Sequence, residues 1–306
     1  MTEVSADRSL RALLKQGIGL LRQADVPSYT LAAELLLLHV AGRERTWIYS
    51  HPEEVLSEAS ADAYLRLLAR RAKGEPTQHL TGKQEFWGLE FSVSRDVLIP
   101  RPETEHLIEV ALDRLAVREM RAGRPPRLTG EGVSLVDIGT GSGCIAIALA
   151  RELPAATIYA TDISGAALKM ARQNADRLGY ADRIQFIESN LFERVTSSET
   201  PLRFDLVISN PPYVSRREAS SLAVEVREHE PELALYGGQQ GDEFYAQLIP
   251  QAAERLKPGG LLVLELGCDR LPAVQPLFDD DQWTNIGVTN DLAGIPRVLS
   301  AERLPR

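Results

Sequence analysis

One asparagine, two prolines and one tyrosine occupy positions 210–213, directly after the apolar run Phe204–Ser209. The two prolines fix the backbone near a φ of about −65° and remove two backbone donors, so the chain can neither continue as a strand nor begin a helix there. Their carbonyl oxygens remain available as acceptors. With the Asn210 amide and the Tyr213 ring, this turn suits the binding of a planar amino or amide nitrogen. We therefore expect the chemistry at Asn210, Pro211, Pro212 and Tyr213.

A planar nitrogen is a poor nucleophile because its lone pair is delocalised. We expect the Asn210 side-chain oxygen and the Pro211 carbonyl each to accept one N–H, which raises the electron density on the nitrogen in the transition state. Tyr213 would stack on the flat group. Orientation can supply roughly 7 to 11 kcal/mol of such a barrier, so neither a strong base nor a metal is required. The five histidines are scattered without ligand spacing, and no metal site is expected.

Residues 133–143 predict a strand, a glycine-rich turn and the start of a helix near Cys144. Glycines at 139, 141 and 143 allow positive φ and close approach of a ligand to the backbone. Three interpretations are open: a tight turn without a ligand, an NAD site, because Gly141-x-Gly143-x-x-Ala146 fits the looser dinucleotide pattern, or an S-adenosylmethionine site. The charge of Asp137 would repel a pyrophosphate but suits a cation. This favours S-adenosylmethionine.

Polar residues also end the next two predicted strands. Asp162 lies 25 residues beyond Asp137, where its carboxylate can accept both hydroxyls of a ribose. Asn190 could bind an adenine amino group and Leu191 could cover the ring, although a plain turn at 189–192 stays an alternative. Residues 225–232 are expected to form a solvated, mobile loop, or else a lid over the substrate. We also expect Phe86 and Glu103 at the mouth of the pocket.

These residues must be positioned by a predominantly parallel sheet, because short apolar runs alternate with helical ones from residue 133 onward. The last two strands are too close in sequence for a helical crossover and predict an antiparallel hairpin. The fold class is thus α/β, with a seven-stranded doubly wound sheet. Strands are predicted at 133–138, 157–161, 184–188, 204–209, 260–266, 284–289 and 297–301, and helices at 143–153, 164–178, 242–256 and 269–279.

The N-terminal part has a different pattern. Helical periodicity at 8–23, 29–41 and 57–73 predicts a small helical domain, and residues 84–93 predict a β-hairpin around Gly88. A further helix is predicted at 105–119. We therefore divide the chain into a helical domain (1–83), a bridging hairpin and extended linker (84–100) and a catalytic domain (101–306) that contains the glycine-rich and Asn-Pro-Pro-Tyr turns.

Charge is distributed unevenly over the 306 residues, which carry a formal net charge of −9. Residues 1–95 contain 12 basic and 12 acidic side chains, so the whole net charge lies in residues 96–306. An acidic balance opposes stable nucleic-acid binding. The apolar runs are too short to span a membrane, and a cytoplasmic protein is expected. Cys144 and Cys268 are too few for a disulfide framework and are expected to be packed thiols.

Six segments together resemble the release factor glutamine methyltransferase family over nearly the whole chain. The four-residue Asn-Pro-Pro-Tyr motif is shared with DNA adenine and RNA guanine methyltransferases, whereas its combination with the other segments is far more specific. The chain also contains its own Gly237-Gly238-Gln239, which we interpret as part of the fifth segment and not as a self-methylation site. The segments are EPTQHLTGKQEFWG (75–88), LIPRPETE (98–105), DIGTGSG (137–143), NPPY (210–213), EPELALYGG (230–238) and DLAGIPR (291–297).

The resemblance implies methyl transfer from S-adenosylmethionine to the side-chain amide N5 of the glutamine in the Gly-Gly-Gln motif of class 1 peptide chain release factors, with S-adenosylhomocysteine as product. It implies that the helical domain binds the release factor outside that motif. Asn190 replaces the more frequent Asp, which affects only the adenine contact. The implied cofactor-binding residues are Asp137, Gly139, Thr140, Gly141, Ser142, Gly143, Asp162, Asn190, Leu191 and Asn210, and the implied substrate-binding residues are Asn210, Pro211, Pro212 and Tyr213.

Two other functions use the same residues. A nucleic-acid amino-group methyltransferase would share the Asn-Pro-Pro-Tyr turn, but it would need a basic recognition surface, which the acidic catalytic part opposes. A binding protein that has lost turnover would keep the fold. Such a protein would be expected to have lost a site residue, but Asp137, Asp162 and Asn210 are all present.

Overall fold

The computed structural model describes residues 7–123, 129–197 and 200–305 of the chain. The helices are α1 (Leu10–Gln23), α2 (Tyr29–Ala41), α3 (Arg45–Ser50), α4 (Glu58–Arg71), α5 (Thr77–Thr81), α6 (Glu105–Arg121), α7 (Cys144–Glu152), α8 (Gly165–Leu178), α9 (Val224–Arg227), α10 (Glu232–Leu235), α11 (Glu243–Arg255) and α12 (Leu271–Val274). The strands are β1 (Lys83–Phe86), β2 (Leu89–Ser92), β3 (Ser134–Ile138), β4 (Thr157–Asp162), β5 (Ile184–Glu188), β6 (Thr196–Ser197), β7 (Thr200–Pro201), β8 (Phe204–Ser209), β9 (Val214–Ser215), β10 (Tyr236–Gly238), β11 (Leu256–Glu265), β12 (Trp283–Asn290) and β13 (Pro296–Arg303).

The chain forms two units. The helical unit extends to Lys83 and also includes Ala223–His229, and the second unit comprises Gln84–Leu222 and Glu230–Arg306. In the helical unit, α1, α2 and α4 enclose an apolar core in which Tyr64 is fully buried and donates its hydroxyl to the Ala33 carbonyl at 3.1 Å. Gly17 makes room for this ring, because a Cβ atom there would lie 2.0 Å from the Tyr64 hydroxyl oxygen.

A seven-stranded sheet in the order β12-β13-β11-β8-β3-β4-β5 forms the centre of the second unit. The strands from β11 to β5 are parallel, whereas β13 is antiparallel to both β11 and β12. The predicted seven-stranded α/β fold with its closing hairpin is thus confirmed. Every residue of β8 is buried, as its apolar composition predicts for a central strand covered on both faces.

Helices cover both faces of this sheet. Leu206 of β8 packs in one core with Ile147 of α7, and its neighbour Val207 packs in the other core with Leu248 of α11. Successive side chains of the strand therefore pack against the helices on opposite faces of the sheet. Because β8 and β4 lie on opposite sides of β3, a crevice opens at the carboxyl ends of these three strands, where doubly wound sheets bind ligands.

The segments around the sheet include one clear departure from prediction. Residues 84–93 form the predicted hairpin, whose two-residue turn at Trp87 and Gly88 has φ values of 54° and 65°. The helix predicted over 269–279 is wrong: only α12 and a 3₁₀ turn at Gln275–Leu277 form there. Pro272 and Pro276 explain the difference, because proline cannot donate the hydrogen bonds of a helix interior.

Candidate active site

The carboxyl ends of β3, β4, β5 and β8 surround a cavity of about 350 Å³. Nine of the thirteen predicted site residues line it, which are Gly139, Thr140, Gly141, Ser142, Asp162, Asn190, Leu191, Asn210 and Pro212. The Ser209 hydroxyl donates to the Ile138 carbonyl at 2.7 Å and so ties the Asn-Pro-Pro-Tyr turn to the strand that enters the glycine loop. The structure thus brings the two most informative sequence motifs to one cavity.

The glycine loop passes from β3 into α7 with positive φ at Gly139 (74°), Gly141 (54°) and Gly143 (83°). The amide groups of Gly139 and Thr140 both donate to the Thr161 carbonyl, at 2.9 and 2.8 Å, which anchors the loop to β4. A Cβ atom at Gly139 would meet open space, whereas one at Gly143 would lie 3.1 Å from the Ala171 Cβ of α8. Gly139 therefore leaves room at the cavity, and Gly143 permits close helix packing.

Asp137 is fully buried behind the glycine loop and does not line the cavity. Its Oδ2 accepts the Thr140 hydroxyl at 2.6 Å, whereas its Oδ1 has no partner of hydrogen-bond geometry among the described residues. Burial raises the pKa of Asp137 to about 7. The Thr140 hydrogen bond opposes this shift in pKa, the Asp162 charge adds to it, and the nearby Ala146 amide opposes it as well. Within the described part of the chain, the buried Thr161 hydroxyl lacks a partner as well. Because Thr161 lines the cavity, this hydroxyl can bind a polar ligand group there.

Asp162 ends β4 with both carboxylate oxygens already in hydrogen bonds. Oδ2 accepts the Gly141 amide and Oδ1 accepts the Ser164 amide, each at 2.9 Å. Burial raises the pKa of Asp162 against the effect of these bonds. Because each carboxylate oxygen has a further lone pair, the fixed carboxylate can still accept hydroxyl groups from the cavity.

Asn190 and Leu191 lie at the end of β5. The Asn190 Nδ2 donates to Glu193 at 2.9 Å, which leaves its Oδ1 to accept from a ligand. Leu191 has a positive φ of 49° and is nearly fully buried while it lines the cavity. An apolar wall beside an amide acceptor suits the face and the amino edge of a heteroaromatic ring.

Asn210 stands at the start of the proline turn. Its Nδ2 donates to the Thr104 hydroxyl at 3.1 Å, and Thr104 donates to Glu265 Oε2 at 2.6 Å. Tyr213 does not line the cavity, and its hydroxyl contacts Glu265 Oε1 at 3.5 Å. Pro211 is buried and likewise outside the lining. Glu265 is fully buried, and burial raises its pKa to about 7.

Three residues of this arrangement were not predicted: Thr104, Glu265 and Asn174. The buried Asn174 side chain donates to the Ser142 carbonyl at 2.9 Å and exchanges hydrogen bonds with the Ser92 backbone, so it fastens the glycine loop to the hairpin strand β2. The signals in the sequence were weak. Glu265 is a lone acidic residue at the end of an apolar strand, and Thr104 lies in the LIPRPETE segment beside Glu103, which is charged and therefore the stronger candidate by sequence.

Several expectations around the cavity were wrong. Phe86 packs in the core, edge-on to Phe91 with 6.1 Å between ring centroids, and Glu103 is exposed, so neither lines the cavity. The segment 225–232 is not simply a solvated loop, because Glu230 is buried and bonds to Arg101 at 2.5 Å. Cys144 is buried as expected, but Cys268 is exposed.

The Glu230–Arg101 ion pair holds the segment that follows it against the cavity. Pro231, Leu233 and Tyr236 line the wall there, and β10 pairs with β9 directly after the proline turn. The backbone at Gly237 approaches the turn so closely that a Cβ atom would lie 2.3 Å from the Pro212 carbonyl oxygen. In the chain's own Gly-Gly-Gln, Gly237 therefore supports the turn through tight backbone packing, whereas Gln239 is exposed.

A seven-stranded α/β sheet with a glycine loop and an Asn-Pro-Pro-Tyr turn at one cavity defines a methyltransferase. Residues 126–229 match the family described as methyltransferase small domain, and residues 12–82 match the one described as PrmC N-terminal domain. A methyltransferase structure from Pyrococcus furiosus has a TM-score of 0.51 at 17% identity and covers 80% of this chain and 100% of its own. This likeness shows the fold.

Two relatives define the family more narrowly. A release factor glutamine methyltransferase from Koribacter versatilis is 43% identical over 91% of this chain and 93% of its own length. One from Bradyrhizobium diazoefficiens is 41% identical over 98% and 95%, respectively. The chain belongs to the release factor glutamine methyltransferase family. No helix among the described residues combines the length and the apolar character needed to cross a membrane.

Proposed function

We propose that this protein uses S-adenosylmethionine to methylate the side-chain amide N5 of the glutamine in the Gly-Gly-Gln motif of class 1 peptide chain release factors. The observation that carries the proposal is the position of Asn210, an amide with a free acceptor oxygen, on the cavity that the glycine loop also lines. Membership of the release factor glutamine methyltransferase family supports the substrate.

The residues present fit S-adenosylmethionine. The Thr161 hydroxyl, which lines the cavity, could accept from the ammonium group of the molecule, and the carboxyl group of Asp137 behind the loop would favour a cation without contacting it. Asp162 would accept the ribose hydroxyls, and Asn190 with Leu191 would hold the adenine. When bound, the cofactor supplies the methyl group that is transferred.

The proline turn would prepare the glutamine amide. The Asn210 Oδ1 and the Pro211 carbonyl would accept the two N–H groups, and these bonds strengthen as the nitrogen becomes pyramidal. The turn is stiff, and its support by β10 keeps the acceptors in place before the substrate arrives. Acceptors that are already fixed need little reorganisation during the reaction. This preorganisation is the main contribution that the site can make to the rate. The contact between the Tyr213 hydroxyl and Glu265 would restrict the movement of the Tyr213 end of the turn.

The helical unit would bind the release factor outside the Gly-Gly-Gln motif. We thus assign release-factor binding to the helical unit and methyl transfer to the catalytic unit. The match to the PrmC N-terminal domain supports this assignment. Remote contacts of this kind supply binding energy that a short glutamine segment cannot provide.

The test is transfer of labelled methyl from S-adenosylmethionine to purified release factor. We expect Asn210→Ala to lower the rate about 100- to 1,000-fold, the effect of losing one positioned transition-state contact, while cofactor affinity stays within about threefold. Asn290→Ala, at an exposed asparagine of β12, is the matched control and should retain full activity. Mass spectrometry of the release factor should place the methyl group on the motif glutamine. Label on DNA or tRNA, with none on release factor, would contradict the proposal.

A further inference from the structure

Two buried side chains outside the Asn-Pro-Pro-Tyr turn contact it in series. Thr104, in the 3₁₀ turn before α6, and Glu265, at the end of β11, are both almost fully buried. The Thr104 oxygen lies 3.1 Å from the Asn210 Nδ2 and 2.6 Å from the Glu265 Oε2. The three groups come from elements far apart in sequence, and the contact between Thr104 and Glu265 spans 161 residues.

The chemistry of the groups fixes the direction of the bonds. An ionised carboxylate can only accept, so the Thr104 hydroxyl must give its single proton to Glu265. The Thr104 oxygen can then only accept, and the Asn210 amide must turn its NH₂ group toward it. We propose that Thr104 and Glu265 are positioning residues that hold the Asn210 amide with Oδ1 directed at the substrate nitrogen. Without them the amide can turn over and present a donor to a nitrogen that is itself a donor.

The relay depends on the charge of Glu265. Burial raises its pKa to about 7, the Thr104 hydrogen bond and the Arg297 charge oppose the shift, and the Glu103 charge adds to it. The titratable and charged groups that face it are Glu103, Cys144 of α7, Tyr213 after β8, Tyr245 of α11 and Arg297 of β13. When Glu265 is protonated it can donate to Thr104, whose own proton is then free for the Asn210 Oδ1. The orientation of the amide is thereby reversed.

This inference rests on the proposed function, because it concerns how Asn210 receives the glutamine nitrogen. The first experiment compares Thr104→Val, which removes the hydroxyl at nearly constant volume, with Thr104→Ser, which keeps it. We expect Thr104→Val to lower kcat about tenfold, the size of one oriented hydrogen bond, with cofactor affinity unchanged. Thr104→Ser should retain kcat within about threefold. Ser300→Ala removes a buried hydroxyl of β13 away from the relay and is the control for packing.

The second experiment follows the pH dependence of kcat. In the wild-type protein we expect kcat to fall as pH decreases through about 7, because protonation of Glu265 reverses the relay. Glu265→Gln should have a lower kcat that lacks this step, since the amide does not titrate. Identical pH profiles of the two proteins would overturn the proposal, as would equal losses in Thr104→Val and Thr104→Ser.

A third readout needs no methyl acceptor. The Nδ2 protons of Asn210, identified by their absence in Asn210→Ala, should exchange slowly with solvent in the wild-type protein and in Thr104→Ser, but rapidly in Thr104→Val. A wild-type protein that fails to methylate release factor would contradict the proposed function, whereas the exchange rates would still decide the relay. Rapid exchange in the wild-type protein would overturn the relay alone.

Discussion

At the scale of single residues, buried carboxyl groups separate into two kinds. Asp137 and Glu265 are fully buried at strand ends beside the cavity, and burial raises the pKa of each to about 7. Asp205 is also buried, at the other end of β8, but Lys257, the Ser134 amide and Arg118 outweigh the effect of burial and lower its pKa. At Asp137 and Glu265, in contrast, the hydrogen bonds do not outweigh the effect of burial on the pKa. This pattern is expected where a ligand or a positioned partner completes the site.

Asp137→Asn should change the pH dependence of stability in the cofactor-free protein. The folded state keeps a proton on Asp137 between about pH 4 and pH 7 that the unfolded state has released, so the wild-type free energy of unfolding falls as pH rises through this window. The slope from one such group is at most about 1.4 kcal/mol per pH unit. Urea unfolding from pH 4.5 to pH 7.5, roughly the window set by that shift, should show a shallower decline in the variant.

Asp205→Asn should change the pH dependence of the free energy of unfolding in the direction opposite to Asp137→Asn. Because the folded-state pKa of Asp205 is lowered from 3.8, its contribution is present above about pH 4 and is lost as pH falls below that value. Urea unfolding of this variant is extended to about pH 2. This variant should therefore lose most stability near neutral pH and least in acid. If Asp137→Asn and Asp205→Asn changed the slope in the same direction, the assignment of a raised pKa to Asp137 would be wrong.

The sequence predicted some of these residues and missed others for a physical reason. Asn210 and Asp162 are recognisable because each follows directly from a local pattern, a strand that ends in a polar turn. Thr104 and Glu265 act through side-chain contacts between separate elements, which no local pattern encodes. Their partnership requires knowing that β11 lies next to β8 and that the segment before α6 reaches the end of both.

At the scale of elements, the strands of the central sheet were predictable and the connections less so. A buried parallel strand has a continuous apolar run, and β8 shows that signal in every residue. The segment after β11 carries a helix-like apolar pattern, but two prolines limit it to single turns. The polar segment after residue 222 predicts a loop, yet Glu230 is buried because Arg101, directly after the linker, supplies its partner.

The glycine loop offers a test of which glycine serves packing and which serves the ligand. Gly143→Ala would place a Cβ atom 3.1 Å from Ala171 and 3.2 Å from Ile147 at a φ of 83°, so we expect a loss of about 2 to 4 kcal/mol in the free energy of unfolding. Gly139→Ala meets no neighbour within 4 Å and should cost only about 1 kcal/mol, from its positive φ. Urea unfolding measures both.

Cofactor binding should show the reverse order. Gly139 lines the cavity and Gly143 does not, so Gly139→Ala should weaken S-adenosylmethionine binding at least tenfold, the effect of about 1.4 kcal/mol, whereas folded Gly143→Ala should bind nearly as the wild type does. Equal loss of affinity in both variants, measured by calorimetry at a temperature where each is folded, would contradict this division of roles.

At the scale of the whole molecule, the chain passes between its two units three times, at residues 83–84, 222–223 and 229–230. The assignment of Ala223–His229 to the helical unit was not predicted from the sequence, because its anchoring contact joins Arg71 to Glu225 across 154 residues. Gly74 lacks a side chain where Val224 packs, and a Cβ atom there would lie 2.8 Å from the Val224 Cγ1. The inserted segment thus becomes an integral part of the helical unit.

Glu225→Ala should destabilise the helical unit. Arg71 is only 6% exposed and Glu225 is 31% exposed, with 2.5 Å between the Arg71 Nη2 and the Glu225 Oε2, so removal of Glu225 leaves a buried guanidinium without this partner. Loss of one partner from a fully buried pair costs about 3 to 5 kcal/mol, and the partial exposure of Glu225 reduces the expected loss to about 2 kcal/mol. Glu228→Ala is the matched control, because Glu228 lies in the same segment but is half exposed and pairs only with the adjacent Arg227 among the contacts of the described chain. In calorimetry, Glu225→Ala should unfold at a lower temperature than the wild-type protein, whereas Glu228→Ala should unfold at the wild-type temperature. Similar shifts in the two variants would mean that the segment is held by its backbone and not by this ion pair.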